Sequence, residues 1–131
     1  MTDTTIEQDI QAAGKTAPRV TPAGIDANIA SEHYFTAAQG VLGYEREVLL
    51  QGEEADLENP DHWGGPELSA LRLLTFCVLV LRNGFTVAGE SACASPENFD
   101  ADIGRKIARE NAVQKIWPLM GYELKQQLSQ K

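Results

Sequence analysis

The sequence predicts an α+β fold built around one β-hairpin and one long helix. Three observations predict it. The apolar runs LTFCVLVL (74–81) and FTVAG (85–89) flank Asn83-Gly84, a strong hairpin signal because a type I′ turn takes positive φ at both central residues. Ser95-Pro96-Glu97-Asn98 reads as a helix start: Ser caps, Pro takes the first helical position and Glu sits in the first turn. Behind it Phe99, Ile103 and Ile107, joined by Ala108, Ala112 and Ile116, recur at helical spacing.

Residues 1–20 read as a flexible tail, low in large apolar residues and interrupted by Gly14 and Pro18, with room for a short helix near Ile6–Ala13. The remainder, 21–131, is one domain by length. Thr21-Pro22 starts a second helix. Ile25, Ile29 and His33 share a face of it, which carries the helix to Tyr34 or Phe35. Gly40 and Gly43 interrupt the chain, and Tyr44–Gln51 suits either helix or strand. Residues 43–67 form an acidic insert whose core, GEEADLENPDHWGGPE (52–67), is a loop punctuated by Gly and Pro. Trp63 either anchors that loop or lids a ligand.

A two-residue Asn-Gly turn sets the hairpin register: Val80 faces Val87, Val78 faces Gly89, Leu79 faces Ala88 and Cys77 faces Glu90. Both faces of the first strand are apolar, so both need cover. A lone two-stranded hairpin is unstable in water, which points to completion by oligomerisation. Pro118 should end or kink the long helix after Trp117, leaving Tyr122–Leu128 as a last helical stretch.

Charge divides the chain. The net charge is −8, yet residues 1–70 carry 13 acids and 3 bases whereas residues 71–131 carry 6 acids and 8 bases. The acidic balance argues against duplex nucleic acid and against a membrane-binding amphipathic helix. Two cysteines make no disulfide framework, and no apolar signal peptide opens the chain. A reduced, cytoplasmic protein is expected.

The best chemical lead is the cluster Arg105, Lys106 and Arg109. Arg105 and Arg109 are one turn apart, and two guanidiniums on one face can grip a phosphate. The plainer alternative is a solvated helix face, with Asp102 pairing Arg105. The loop Gly89–Ser95 precedes a helix start, where free N–H groups favour an anion; the alternative is a simple capping turn. Ser91, Ser95 and Asn98 would supply polar contacts there, and Phe85 or Trp63 could stack on a base. Cys93 lacks an assured base, since only His33 and His62 are available, so no catalytic residue is assigned. Two His and two Cys, none closely paired, do not match zinc spacing. No metal or other cofactor is expected.

RVTPAGIDANIASEHYF (19–35) and the stretch 74–128, with its NGFTV, GESAC, SPENFD and IGRKIA motifs, resemble a family of small phage and prophage proteins. That family is named for gene product 49 of an N-four-like phage and gene 66 of a Shigella phage. It looks related to the phage anti-Thoeris sponge, which captures a cyclic ADP-ribose-type messenger made by bacterial TIR-domain enzymes. Relatives of that sponge bind cyclic oligonucleotides of the CBASS pathway. The resemblance implies a non-enzymatic, homo-oligomeric anti-defence protein in the cytoplasm of an infected or lysogenic host, sequestering a cyclic nucleotide. The rival from another class is an accessory protein that binds a host protein without a small ligand.

Overall fold

The computed structural model describes residues 3–15, 17–50 and 66–130. Trp63, His62 and most of the acidic insert lie outside the described residues. The elements run α1 (Asp3–Ala12), α2 (Pro22–Ala27), β1 (Ile29–Thr36), α3 (Ala37–Leu50), α4 (Pro66–Leu71), β2 (Leu74–Leu81), β3 (Thr86–Ala92), a 3₁₀ turn (Pro96–Asn98) and α5 (Ala101–Ser129). The expected α+β class holds. The segment expected to be a tail thus contains α1.

The sheet has three antiparallel strands in the order β1-β2-β3. Its first strand corrects the sequence reading. The helix starting at Thr21-Pro22 is capped as expected, Thr21 Oγ1 accepting from Gly24 N at 3.0 Å, but it ends at Ala27. Ile29–Thr36 then pairs with β2. The segment IASEHYFT carries β-branched and aromatic residues that suit a pleated surface. Its pairing with β2 outweighs the four-residue spacing of Ile25, Ile29 and His33.

The hairpin forms where expected, with a different turn. Leu81 N donates to Phe85 O at 2.8 Å and Gly84 N donates to Leu81 O at 2.9 Å. Gly84 has φ +89 and no non-glycine among the described residues has positive φ, so Asn83 does not adopt the conformation a type I′ turn requires. The loop is the three-residue kind, a tight turn followed by a left-handed glycine. Asn83 Oδ1 instead accepts from Phe85 N at 2.9 Å.

One extra loop residue slips the register by one. Leu79 faces Val87 and Cys77 faces Gly89, rather than Ala88 and Glu90. A one-residue slip moves every side chain of a strand to the opposite face. Here it keeps the Glu90 carboxylate off the covered face and puts Val87 and Gly89 on it.

α5 covers that face. The core comprises Cys77, Leu79, Leu81, Val87, Ala108, Ala112, Ile116 and Ile25. The helix turns a narrow stripe inward, Gly104, Ala108, Ala112 and Ile116, whereas Ile103 and Ile107 are 55% and 45% exposed. Of the expected face, Ala108, Ala112 and Ile116 are buried as predicted, whereas Ile103 and Ile107 are not. Small residues four apart let the helix backbone settle close to the sheet, and Gly89 completes the fit: a Cβ there would lie 2.2 Å from Ala108 O.

Two further boundaries differ. Ser95 makes no side-chain cap; the long helix starts later, with Asp100 Oδ1 accepting from Asp102 N at 2.9 Å and Ile103 N at 3.1 Å. Asp100→Ala should cost about 0.5–2 kcal/mol, and Ser95→Ala within about 0.5 kcal/mol, by urea denaturation. Equal losses would contradict this capping. The helix also continues through Pro118. Pro118 is exposed, so water can satisfy the Gln114 carbonyl that proline leaves without a donor. Ile116 and Met120, packed on the core at either side, hold the axis.

The second sheet face carries Phe76, Val78 and Val80, all half-buried, and Phe35, 37% exposed. Phe35 and Phe76 stack at 5.6 Å between centroids, and the Phe35 ring lies against Gly40 of α3. β3 is an edge strand. α5 side chains close that edge: Asn111 Nδ2 donates to Glu90 O at 2.8 Å and Lys115 Nζ to Ala88 O at 2.5 Å, a device against edge-to-edge association.

Candidate functional site

α5 and β1 together frame the candidate site. Glu32, Tyr34 and Thr36 of β1 face Leu79, Cys77 and Thr75 and so point to the α5 side of the sheet. Arg105 and Arg109 reach this same side, one turn apart. Arg109 pairs with Glu32 through Nε, and with Asp26 at 3.6 Å. The Glu32 carboxylate raises the Arg109 pKa above its ordinary value, with Asp26 adding to it. Arg105 pairs with Asp102. Lys106 has no ion-pair partner among the described residues. All these pairs are at least partly exposed, and exposed pairs stabilise by only about 0.2–1 kcal/mol. An incoming anion can displace such acids at small cost.

Two recesses flank this row. One, of about 240 Å³, is lined by Tyr34, Phe35, Phe99, Thr36, Gln39, Thr75, Ala101 and Arg105. It joins the rings of Tyr34 and Phe99, several hydrogen-bonding groups and a guanidinium, while the Phe35 ring turns to the outer face against Phe76. The other, of about 360 Å³, lies between α1, α2 and α5 and includes Lys106, Arg109 and Trp117.

The expected site residues divide. Arg105 and Arg109 stand together. Ser91 is opposite Thr75, next to the aromatic recess. Ser95 Oγ donates to Glu97 Oε2 at 2.6 Å, which lowers the Glu97 pKa from its ordinary value. Asn98 N donates to Ser95 O at 3.1 Å, and its side chain is exposed. Phe85 is at the far end of the sheet, in a separate recess with Leu119, Met120 and Glu123. About six strand residues, roughly 20 Å, separate it from Ser91.

Tyr34 and Phe35 fall at the end of a segment that reads as helix, Thr36 and Gln39 lie just beyond it with no signal of their own, and Phe99 belongs to the expected core face. The alternation of burial along Ile29–Tyr34, broken at His33, shows why the strand signal was weak.

Among the described residues, no base stands beside either cysteine. Cys93 Sγ donates to Ser95 O at 3.1 Å. His33 is opposite Val78 whereas Cys93 N bonds Leu73 O; five strand residues, about 16 Å, keep His33 from serving as its base. His33 is exposed and bonds Ser31 Oγ at 3.0 Å, so it is not a packed core residue. Burial pushes the Cys77 thiol up, with the Tyr34 hydroxyl partly opposing the shift. A thiol reagent should therefore modify Cys93 in the folded protein and reach Cys77 only on unfolding. Equal labelling rates under native conditions would contradict this core. No group of three or more His, Cys, Asp or Glu among the described residues could hold a metal ion.

The family model for phage protein (N4 Gp49/phage Sf6 gene 66) matches residues 20–128, almost the whole span from β1 through α5. The chain belongs to that family. No curated protein and no solved structure gives a significant match. The Gp49/gene 66 match takes in both recess walls formed by β1, β2 and α5, and begins just after α1. No helix among the described residues of this phage-family protein is long and apolar enough to cross a membrane.

Proposed function

We propose that this phage-family protein is a non-enzymatic binder that captures a cyclic nucleotide-type bacterial immune messenger. The observation that carries the reading is the recess around Arg105. Tyr34 and Phe99 offer stacking surfaces for a base, Arg105 offers a phosphate fork, and Thr36, Gln39 and Thr75 offer polar contacts. Arg109 lies one turn further along the same helix face. Its acidic partners Glu32 and Asp26 hold it in place until an anion arrives.

The same recess supports assembly. Its 240 Å³ is smaller than the usual ligand pocket of about 300–1,000 Å³, so one chain holds part of the ligand and a second copy supplies the rest. The half-buried apolar side chains Phe76, Val78 and Val80 on the outer sheet face are suited to such an assembly.

Titration calorimetry against cyclic ADP-ribose isomers and cyclic oligonucleotides tests the reading. At least one should bind at micromolar concentration and be recovered intact after the protein is denatured. Arg105→Ala and Arg109→Ala should each weaken it by about tenfold or more, while Lys125→Ala, remote on α5, should not. Absence of binding across the panel would leave the host-protein reading in its place; altered ligand on recovery would overturn the non-enzymatic assignment.

A further inference from the structure

The recess between α1, α2 and α5 already holds a carboxylate, and that carboxylate belongs to the chain itself. Asp3 Oδ2 accepts from Trp117 Nε1 at 3.2 Å and from Gln114 Nε2 at 3.1 Å. Two neutral donors from successive positions of one helix face thus converge on a single oxygen. Around them lie Ile25, Val113 and Trp117 as apolar surface, with Lys106 and Arg109 along one wall. Asp26 and Glu110 also line the recess. Asp26 pairs with Arg109, and Glu110 is one turn from Lys106, so the two cations are matched by two acids. The charge balance is then near zero before Asp3 enters, which suits a single negative charge better than a phosphate dianion.

Asp3 is loosely held. α1 has ten residues and buries none of them, and isolated helices of that length are marginal in water. Besides Asp3, α1 is tied down by the fork of Arg19 on Glu7, both bonds 2.5 Å. α1 also precedes the family-matched segment, which begins at residue 20, whereas Gln114 and Trp117 lie within it.

We infer that this recess is a binding site for a monocarboxylate with a small apolar body, and that Asp3 of α1 is its displaceable stand-in. The acid's oxygen takes the indole N–H of Trp117 and the amide of Gln114, and its apolar body covers Ile25 and Val113. When α1 swings away, the two donors become available; when it docks, it competes. Arg109 borders both sites, but the donors Gln114 and Trp117 line this recess and not the one around Arg105, so the inference does not depend on the messenger reading.

The test uses the full chain, phenylacetate as probe, and the indole N–H resonance of Trp117 as readout, distinguished from that of Trp63 by its loss in Trp117→Phe. Asp3→Ala should move the Trp117 resonance and tighten phenylacetate binding about fivefold, the effect of removing a competitor worth about 1 kcal/mol. Adding Gln114→Ala, an exposed change that leaves the core intact, should weaken the acid again. Phenylacetamide, the same shape without charge, should not bind. An unmoved Trp117 resonance in Asp3→Ala, equal phenylacetate affinity in both proteins, or equal binding of the amide would each overturn the inference. None of these variants touches the Arg105 recess, so failure here and failure of messenger binding are read separately.

Discussion

Gly89→Ala should destabilise the protein by at least about 3 kcal/mol, or abolish folding. Overpacking a well-filled core typically costs about 1–3 kcal/mol where side chains can yield. Here they cannot, because the added Cβ would meet backbone: Ala108 O at 2.2 Å, Ala112 N at 2.3 Å and the Asn111 carbonyl carbon at 2.9 Å. Relief would mean lifting α5 off β3, losing the burial of Ala108 and Ala112 and the Asn111 and Lys115 bonds that close the β3 edge. Gly121→Ala is the control. Nothing lies within 4 Å of its added Cβ, and Gly to Ala inside a helix should stabilise by about 0.5–1 kcal/mol. Urea denaturation of the pair decides the matter. A folded Gly89→Ala protein of ordinary stability would mean that α5 does not approach the sheet this closely.

Leu79→Ala should cost about 2–5 kcal/mol, the usual range for truncating an enclosed Leu. Leu79 is 0% exposed, between Val87 of β3 and the Ala108–Ile116 stripe of α5. Val78→Thr, one residue away on the outer face, should cost less than about 1 kcal/mol in the isolated chain. The contrast follows from which face α5 covers. If Val78→Thr is instead as damaging as Leu79→Ala, the outer face is covered in solution. Molecular mass measured on both proteins would then tell whether a second copy covers it, since a dimer disrupted by Val78→Thr would fall to the monomer mass.

Much of the fold is legible in local chemistry. Thr21-Pro22 marks a helix start because an oxygen acceptor and a preset φ are needed at those two positions, and the structure uses both. Gly84 marks the hairpin because some residue there must have positive φ, and it does. The positive row Arg105–Arg109 is legible too, because four residues of helix return to the same face.

Other features lay beyond local chemistry. Asn83-Gly84 fits two turn types, and the choice between them rests on which β3 residues can pack beneath α5. Cys77 opposite Gly89 allows the close helix approach; Cys77 opposite Glu90 would bring a carboxylate to the core. Ile103 and Ile107 are more apolar than Gly104 and Ala108, so a periodicity based on hydrophobicity finds Ala108, Ala112 and Ile116 but adds two exposed isoleucines and passes over Gly104. The real stripe is chosen by size, because the sheet leaves room only for small side chains. Pro118 carries a rule against helix interiors, and its exposure eases one part of that penalty, since water can satisfy the carbonyl left without a donor.

The site shows the same division. Sequence determined which residues could hold an anion, since guanidinium chemistry and helical spacing are properties of the chain. It also determined the family, through motifs in residues 19–35 and 74–128, within the 20–128 span that the family model matches. Tertiary structure alone decided that β1 is a strand, and therefore that Tyr34, Phe35 and Thr36 stand beside Arg105 rather than on a remote helix. It alone placed Phe85 at the other end of the sheet, and Asp3 against Trp117, 114 positions away. The reason is physical: propensity and periodicity act over a few residues, whereas pairing partners and packing faces are set by surfaces that meet only once the chain has folded.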